Sequence, residues 1–224
     1  MWPGESGNPP IKLSLLSIRE RHPTNKIFPH PTICSSLFSS SSCPTTTTTL
    51  PNMTIFVLQV KAELENIASI SPRPSNVWKM DIKNPLNDYE ERKGITICVD
   101  DLVELDNDHV AATNYAMKWE GGNKFVTLKI MAAKDKALAG KKKAPSNAPT
   151  SITESGVWTN ILAVETRGLE PTKWEMGLDE FIVISTGGST FDSEIDFSDD
   201  WCEYCEKSED SVGISNLEHR WKTL

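Results

Sequence analysis

This 224-residue chain lacks the sequence patterns by which many functions are recognised. It has no glycine-rich phosphate loop, no Gly-x-Ser-x-Gly nucleophile motif and no His-Glu-x-x-His metal motif. It also lacks a run of about 18 apolar residues, which a membrane-spanning helix would need. Long segments with helical periodicity are missing too. We therefore expect no membrane association, no helical fold and no enzymatic activity.

Apolar residues are sparse in the first part of the chain. Ser, Thr and Pro make up 24 of residues 1–52, including runs of Ser at 39–42 and of Thr at 45–49. Such a segment buries too little apolar surface to offset its chain entropy, so the composition predicts a disordered leader. Three interpretations of this leader remain open. It is a mitochondrial transit peptide, a regulatory tail, or an artefact of the gene model in a chain that starts at Met53. Residues 53–224 are long enough for one folded domain.

Positive charge is also scarce. After subtraction of the four basic and two acidic residues of the leader, residues 53–224 carry 19 basic and 29 acidic residues, a net charge of −10. This balance argues against nucleic-acid binding, which needs a positive surface. The segment 179–210 has eleven Asp or Glu and a single Lys. It is interpreted either as a solvated loop region or as an acidic surface for a basic protein partner. We expect the protein to be a monomer.

Short runs of β-branched and apolar residues predict an all-β fold, a sandwich or barrel of short antiparallel strands. Two segments about 100 residues apart, 60–66 and 163–170, share a strand-like pattern that ends in Leu-Glu, which indicates two similar halves. Asn66 and Gly168 within them tolerate positive φ and are expected to serve turns. Gly121-Gly122 and Gly187-Gly188 are expected to form hairpin turns. The predicted strands are 54–63, 95–99, 124–131, 157–166, 180–185 and 212–221.

Several segments occur in a fixed order and spacing: 56–66 (Phe-Val-Leu-Gln-Val-Lys-Ala-Glu-Leu-Glu-Asn), 167–171 (Arg-Gly-Leu-Glu-Pro), Asp200-Trp201, Tyr204, Glu206-Lys207 and 211–214 (Ser-Val-Gly-Ile). Together these segments resemble the eukaryotic CXXC motif containing zinc binding protein family, whose members carry two Cys-x-x-Cys pairs in their first half. The resemblance implies the fold of that family and zinc as its cofactor.

The positions that the resemblance assigns to the zinc ligands carry Ile82, Pro85, Trp119 and Gly122. None of these side chains can ligate zinc, which structural sites bind through about four Cys or His donors. We therefore predict that the chain has no cofactor, and that it is a non-enzymatic interaction or scaffold module. Ile82 and Trp119 are expected to meet in an apolar contact that partly replaces the metal. No catalytic, cofactor-binding or metal-binding residue is predicted.

One Cys-x-x-Cys does occur, at Cys202 and Cys205. The alternative hypothesis is a metal- or thiol-dependent protein with a site rebuilt around these two residues, which requires their sulfurs to lie together and near Cys98 or His219. The surrounding acidic residues are expected to disfavour a thiolate. His109, in an acidic loop, is expected to be solvated. Five cysteines without a disulfide framework favour a reducing compartment, and we expect the protein to be cytoplasmic.

Overall fold

A computed structural model describes residues 53–105, 112–140 and 146–224. The predictions for the leader and for His109 therefore lie outside the described residues. The predicted all-β class is confirmed, and none of the described segments is a helix that could span a membrane. The strands are β1 (Met53–Glu65), β2 (Ile67–Pro72), β3 (Val77–Asn84), β4 (Asn87–Cys98), β5 (Tyr115–Met117), β6 (Val126–Ile130), β7 (Thr159–Arg167), β8 (Glu170–Glu175), β9 (Phe181–Ser185), β10 (Thr190–Phe191), β11 (Trp201–Cys205) and β12 (Asp210–Thr223), and a 3-10 turn covers Lys136–Leu138.

The strands form three sheets in which every described strand pair is antiparallel. A six-stranded sheet has the order β11-β12-β1-β7-β6-β5. Two three-stranded sheets have the orders β10-β9-β2 and β4-β3-β8. Antiparallel sheets of this kind pack one face on a core and leave the other open to solvent, as the alternating burial along β3 shows.

The strand order contains a pseudo-twofold relation. The first half of the chain contains β1–β6 and the second half contains β7–β12. When each strand of one half is exchanged with the strand at the same place in the other half (β1 with β7, β2 with β8 and so on), the order of the large sheet is reversed and the two small sheets are interchanged. The prediction of two similar halves is thereby confirmed. Each small sheet combines a hairpin from one half with a single strand from the other half, β2 or β8, so neither half completes its own sheets alone.

Two residues with positive φ make this exchange of strands possible. Asn66, with φ 54°, separates β1 from β2, and Gly168, with φ 73°, separates β7 from β8. At each residue the chain bends sharply out of the large sheet and into a small one, a conformation that Gly and Asn tolerate best. The prediction that both residues serve turns is confirmed, although each turn joins two sheets rather than the strands of one hairpin.

The main core lies between the sheets and is rich in aromatic rings. Trp174 is 2% exposed, and its ring centroid lies 6.1 Å from that of Trp78 and 6.0 Å from that of Phe181. Such tilted and edge-on pairs add about 0.5–1.5 kcal/mol each beyond the area they bury. A smaller cluster of four buried residues lies apart from this core and consists of Val57, Met131, Leu138 and Ala163.

Candidate functional site

In the first half of the chain, two hairpins flank the junction between β7 and β8. The β3–β4 hairpin reaches it through β3, where Ile82 pairs with Pro171. The β5–β6 connection reaches it through Trp119, whose indole Nε1–H donates to the carbonyl oxygen of Gly168 over 2.9 Å. Both hairpins that the resemblance associates with zinc are therefore brought to one place by the fold.

The tip of the β3–β4 hairpin satisfies its own polar groups. The Oδ1 atom of Asn84 accepts a bond from the backbone N–H of Leu86 over 2.9 Å, which tightens the two-residue turn. The side-chain amides of Asn84 and Asn87 donate to the carboxylate of Glu90 over 2.7 and 3.1 Å. These donors and acceptors pair with one another, so the tip presents a closed polar network together with the exposed Leu86 and Tyr89.

The second half repeats this arrangement around the junction between β1 and β2. The carbonyl oxygen of Asn66 accepts a bond from the N–H of Thr186, in the β9–β10 turn, over 2.9 Å. The side-chain amide of Asn66 donates to the carbonyl oxygen of Ser211 on β12 over 2.8 Å. Lys207, in the β11–β12 turn, donates to the carbonyl oxygen of Gly188 over 2.8 Å and so connects the two turns directly. The expectation that Gly121-Gly122 and Gly187-Gly188 belong to hairpin connections is confirmed.

The sulfur of Cys205 lies inside this second pair of turns, and the residue is fully buried. Its Sγ atom is 3.4 Å from the Oγ atom of Ser185 and 3.2 Å from that of Ser189. Hydrogen bonds from Ser185, Ser189 and Ser208 lower the pKa of the Cys205 thiol to about 6, against an opposing effect of burial. The expectation that acidic neighbours disfavour a thiolate is wrong for this residue, because Glu206 and the other nearby carboxylates are exposed while the sulfur faces hydroxyl groups.

Sequence reasoning missed these serines because they lie on a different hairpin, 16 and 20 residues before the cysteine. The only available signal was the density of Ser around Gly187-Gly188, which also fits an ordinary turn.

The other candidate donors lie elsewhere. Cys202 is exposed, and because it is an odd number of residues from Cys205 on the same strand, the two sulfurs are on opposite faces of the sheet. Cys98 approaches the carbonyl oxygen of Ser75 at 4.0 Å. The imidazole of His219 packs edge-on against Trp174, with ring centroids 5.5 Å apart, and burial followed by the charge of Lys173 lowers its pKa. The geometry required by the rebuilt metal site is therefore not met, and the described residues contain no group of three or more His, Cys, Asp or Glu that could hold a metal.

Comparison with known proteins assigns the chain to a family. The family model "CXXC motif containing zinc binding protein, eukaryotic" matches residues 57–222. The chain belongs to this family. The UPF0587 protein CG4646 of Drosophila melanogaster is 28% identical over 159 residues, which is 70% of this chain and 90% of that protein. The CXXC motif containing zinc binding protein of Xenopus laevis is 28% identical over 171 residues, covering 75% and 98%.

Two solved structures have a similar fold. A hypothetical protein from Plasmodium falciparum has a TM-score of 0.61 and 26% identity, and the match covers 75% of this chain and 99% of that one. The crystal structure of C1orf123 has a TM-score of 0.62 and 23% identity, with 76% and 99% covered, and supports the fold alone. The predicted family is thus confirmed over most of residues 53–224.

The side chains at the expected zinc positions do not fit a zinc ion. Ile82 is 0% exposed and belongs to the main core, and Trp119 is partly buried against the same core. Pro85 and Gly122 are exposed and offer no side-chain donor. The turn itself remains: the N–H of Gly122 donates to the carbonyl oxygen of Trp119 over 2.9 Å, and Gly121 has the positive φ of 71° that a type II turn requires at this place.

The acidic segment 179–210 surrounds the second pair of turns. Nine of its eleven carboxylates belong to exposed residues, and in the described part of the chain none of the eleven lies within 4.0 Å of a basic side chain. Three of them accept bonds from backbone N–H groups and hold loops in place: Asp179 from Ile195, Asp196 from Ser198 and Asp200 from Asn216. Glu180, which is half-buried, accepts a further backbone bond from Gly177.

Proposed function

We propose that this chain is a non-enzymatic interaction module of the CXXC motif containing zinc binding protein family, in which packing of the two hairpins replaces the family's metal. The observation that carries the proposal is the burial of Ile82 in the core, at a place where a metal ligand would have to project toward an ion. Trp119 supports it, because its indole fixes the second hairpin to the same junction through Gly168.

The free energies supplied by a zinc site and by apolar packing explain why more than one contact is needed to replace the metal. A closed zinc site supplies roughly 10 kcal/mol or more of apparent folding free energy. Burial of an isoleucine such as Ile82 contributes about 2–3 kcal/mol, and a partly buried tryptophan with one hydrogen bond contributes a similar amount. The apolar replacement therefore offsets only part of the metal's contribution, and the shared core of the two halves provides the rest of the stability.

Zinc content tests this part of the proposal. The full chain, purified by gel filtration, is expected to retain less than about a tenth of an equivalent of zinc, because the assigned positions carry no donors. The matched control is the double variant Cys202→Ser/Cys205→Ser, which should give the same value. Close to one zinc per chain would overturn the proposal. If that zinc disappeared in the double variant, the rebuilt site around Cys202 and Cys205 would be correct instead.

The interaction surface that we propose is the acidic segment 179–210, and its partner is a protein with a basic surface. Its exposed carboxylates have no basic side chain within 4.0 Å among the described residues, so they carry an uncompensated negative field. Fields of this kind raise the association rate with oppositely charged partners and weaken at high salt. The unpaired Cys98, Cys202 and Cys205 support a reducing, cytoplasmic location for such a module.

A pair of charge variants tests the surface. Glu203→Gln/Glu206→Gln removes two exposed charges from the segment, and Glu120→Gln/Glu154→Gln removes two exposed charges from elsewhere. With a synthetic lysine-rich peptide as probe at low salt, the first pair should weaken binding about threefold more than the second. Equal effects of both pairs would mean that the probe senses only the net charge, and the surface would then be wrong.

A further inference from the structure

A row of polar side chains crosses the large sheet on the face that alternates away from the main core. In the strand register, Gln59 on β1 lies opposite Arg220 on β12 and opposite Asn160 on β7. Residues that lie opposite each other in antiparallel strands share a face, so the three side chains are neighbours. Hydrogen bonds join the row: Nε of Arg220 donates to Oε1 of Gln59 over 2.9 Å, and Nε2 of Gln59 donates to Oδ1 of Asn160 over 2.9 Å.

The contacts of this row fix the orientation of the Arg220 guanidinium. Gln59 is only 8% exposed, and a buried amide is costly unless both of its ends are paired, as they are here. The guanidinium also lies over the ring of Trp158, with its Cζ atom 4.0 Å from the ring centroid. In the described part of the chain, the two terminal Nη groups of Arg220 have no partner. They form a fork of donors that fits the two oxygens of a carboxylate.

The same hydrogen bonds fix the polarity of Asn160. Its Oδ1 atom accepts from Gln59, so its Nδ2 group, which carries two protons, is the end that is directed away from that partner. Both residues line an open groove of about 340 Å³, together with Trp158 and Lys222. This volume falls within the range of roughly 300–1,000 Å³ that is usual for ligand sites. One side of the groove therefore presents mainly hydrogen-bond donors.

The rest of the groove lining comes from the segment 146–154, which backbone hydrogen bonds hold in place. The N–H of Thr150 donates to the carbonyl oxygen of Asn160 over 2.7 Å, and Ile152 exchanges bonds with Ile70 over 2.8 and 2.9 Å. Hydroxyl and amide side chains bond the backbone of an extended peptide without requiring one particular sequence. The segment contributes five such side chains to the lining: Ser146, Asn147, Thr150, Ser151 and Thr153.

The charges at the groove favour an anionic occupant, although the domain as a whole is acidic. Arg220 and Lys222 have no carboxylate within 4.0 Å among the described residues, whereas the nearby Lys61 is paired with Glu218 over 2.8 Å. Among the described residues that line the groove, Glu154 is the one carboxylate. The two unpaired cations therefore exceed the anions by one charge. A single carboxylate would neutralise this excess, whereas a phosphate group, with a charge of about −1.5 to −2, would exceed it.

We propose that this groove is a docking site for an extended peptide segment of a partner protein, and that the segment places one Asp or Glu carboxylate on the Nη fork of Arg220. The Nδ2 group of Asn160 and the ammonium group of Lys222 bind the same carboxylate or the peptide carbonyl beside it. This surface lies outside the acidic segment 179–210 and selects the opposite charge. It therefore adds a second kind of partner to the proposed function.

The test titrates the full-length chain with a capped pentapeptide that has one glutamate among serine and threonine residues. The indole N–H resonance of Trp158, identified by its loss in Trp158→Phe, should shift on binding. A matched peptide with glutamine in place of the glutamate should bind at least about fivefold more weakly. Equal binding of the two peptides, or no shift at about 10 mM peptide, would overturn the proposal. Tighter binding of a phosphoserine peptide, or equally tight binding of free acetate, would also overturn it.

Matched variants separate the guanidinium fork from the net charge. Arg220→Gln should weaken binding of the glutamate peptide at least about fivefold, and Arg220→Lys, which keeps the charge but loses the fork, should also weaken it. Lys124→Gln removes the same charge from an exposed residue of the β5–β6 connection and should change binding less than about twofold.

Asn160→Asp tests the groove without a change of side-chain size. The new carboxylate can still accept from Gln59, but it replaces a donor by a negative charge, so it should weaken binding at least about fivefold. Thermal unfolding checks that each variant is folded, and this variant carries the test if Arg220→Gln is not. Unchanged binding in Asn160→Asp, or equal effects of Arg220→Gln and Lys124→Gln, would overturn the proposal. Zinc content and binding of the lysine-rich peptide do not depend on the groove, so the result stands apart from the proposed function.

Discussion

Replacement of Trp119 by alanine is the most direct test of how the two hairpins of the first half are held. The side chain is partly buried against the main core, and its indole N–H donates to the carbonyl oxygen of Gly168 over 2.9 Å. Trp119→Ala removes both the packing and the hydrogen bond. Trp119→Phe keeps most of the ring and removes only the donor, so the two variants separate the two contributions.

The expected magnitude follows from burial. Truncating a fully buried tryptophan costs about 3–5 kcal/mol, and a partly buried one loses about half of that, roughly 2 kcal/mol. Loss of the donor to Gly168 adds about 1 kcal/mol, because a partly buried carbonyl loses its partner. We therefore expect Trp119→Ala to lower the free energy of unfolding by about 2–4 kcal/mol and Trp119→Phe by about 1 kcal/mol. Trp119→Ser should be at least as damaging as Trp119→Ala.

Urea unfolding followed by far-ultraviolet circular dichroism measures these changes without relying on tryptophan fluorescence. The matched control is Phe125→Ala, in the same β5–β6 connection, because Phe125 is 48% exposed and its ring centroid lies 4.5 Å from the Nζ atom of Lys118. Its loss should cost less than about 1 kcal/mol. A change below about 0.5 kcal/mol for Trp119→Ala, or one no larger than that of the control, would show that the indole does not hold the hairpin.

Three further predictions concern other parts of the chain. Asn66→Ala should destabilise by about 1–3 kcal/mol in thermal unfolding, because alanine disfavours positive φ and loses the bond to Ser211, whereas Asn66→Gly should cost less. Relative to Cys205→Ser, the wild type should gain stability toward urea as the pH rises from about 6 to 9. The folded pKa of the Cys205 thiol, about 6, lies below the ordinary value of 9.0, so this contribution is complete above pH 9 and is lost as the pH falls through 6. Removal of residues 1–52 should shift the melting temperature by less than about 2 °C in calorimetry, and a larger shift would show that the leader packs on the domain.

Much of the fold could be predicted because its central strands have a strong local signal. The strand predicted at 54–63 lies within β1, that at 180–185 contains β9, and that at 212–221 lies within β12. The strands at 54–63 and 180–185 are buried on at least one face and rich in β-branched residues, which is the pattern that sequence reasoning detects best. The strand at 212–221 has this pattern only at its start, where Val212 and Ile214 are buried. The two halves could be predicted for the same reason, since Asn66 and Gly168 mark equivalent bends after similar strands.

Two segments that sequence reasoning did not predict as strands, the start of β4 and the start of β8, are mostly polar. The first seven residues of β4, 87–93, are Asn-Asp-Tyr-Glu-Glu-Arg-Lys, and β8 begins with Glu-Pro-Thr-Lys. Such segments become strands only because β3 supplies hydrogen-bonding partners on both of its sides. The pairing of Ser185 and Ser189 with Cys205 is also a property of the assembled fold, because it joins two hairpins whose sequences show no relation to each other.

The pseudo-twofold relation clarifies how this chain can keep the fold of a zinc-binding family without the expected ligands. Each half has the same mechanical requirement, which is to hold two hairpin turns against a junction where the chain changes sheets. The first half meets it with Trp119 and the buried Ile82 around Gly168. The second half meets it with Thr186 bonded to Asn66 and with Lys207 joining its two turns. These contacts join the two turns in each half, and in the function proposed above those of the first half stand in the place of the family's zinc.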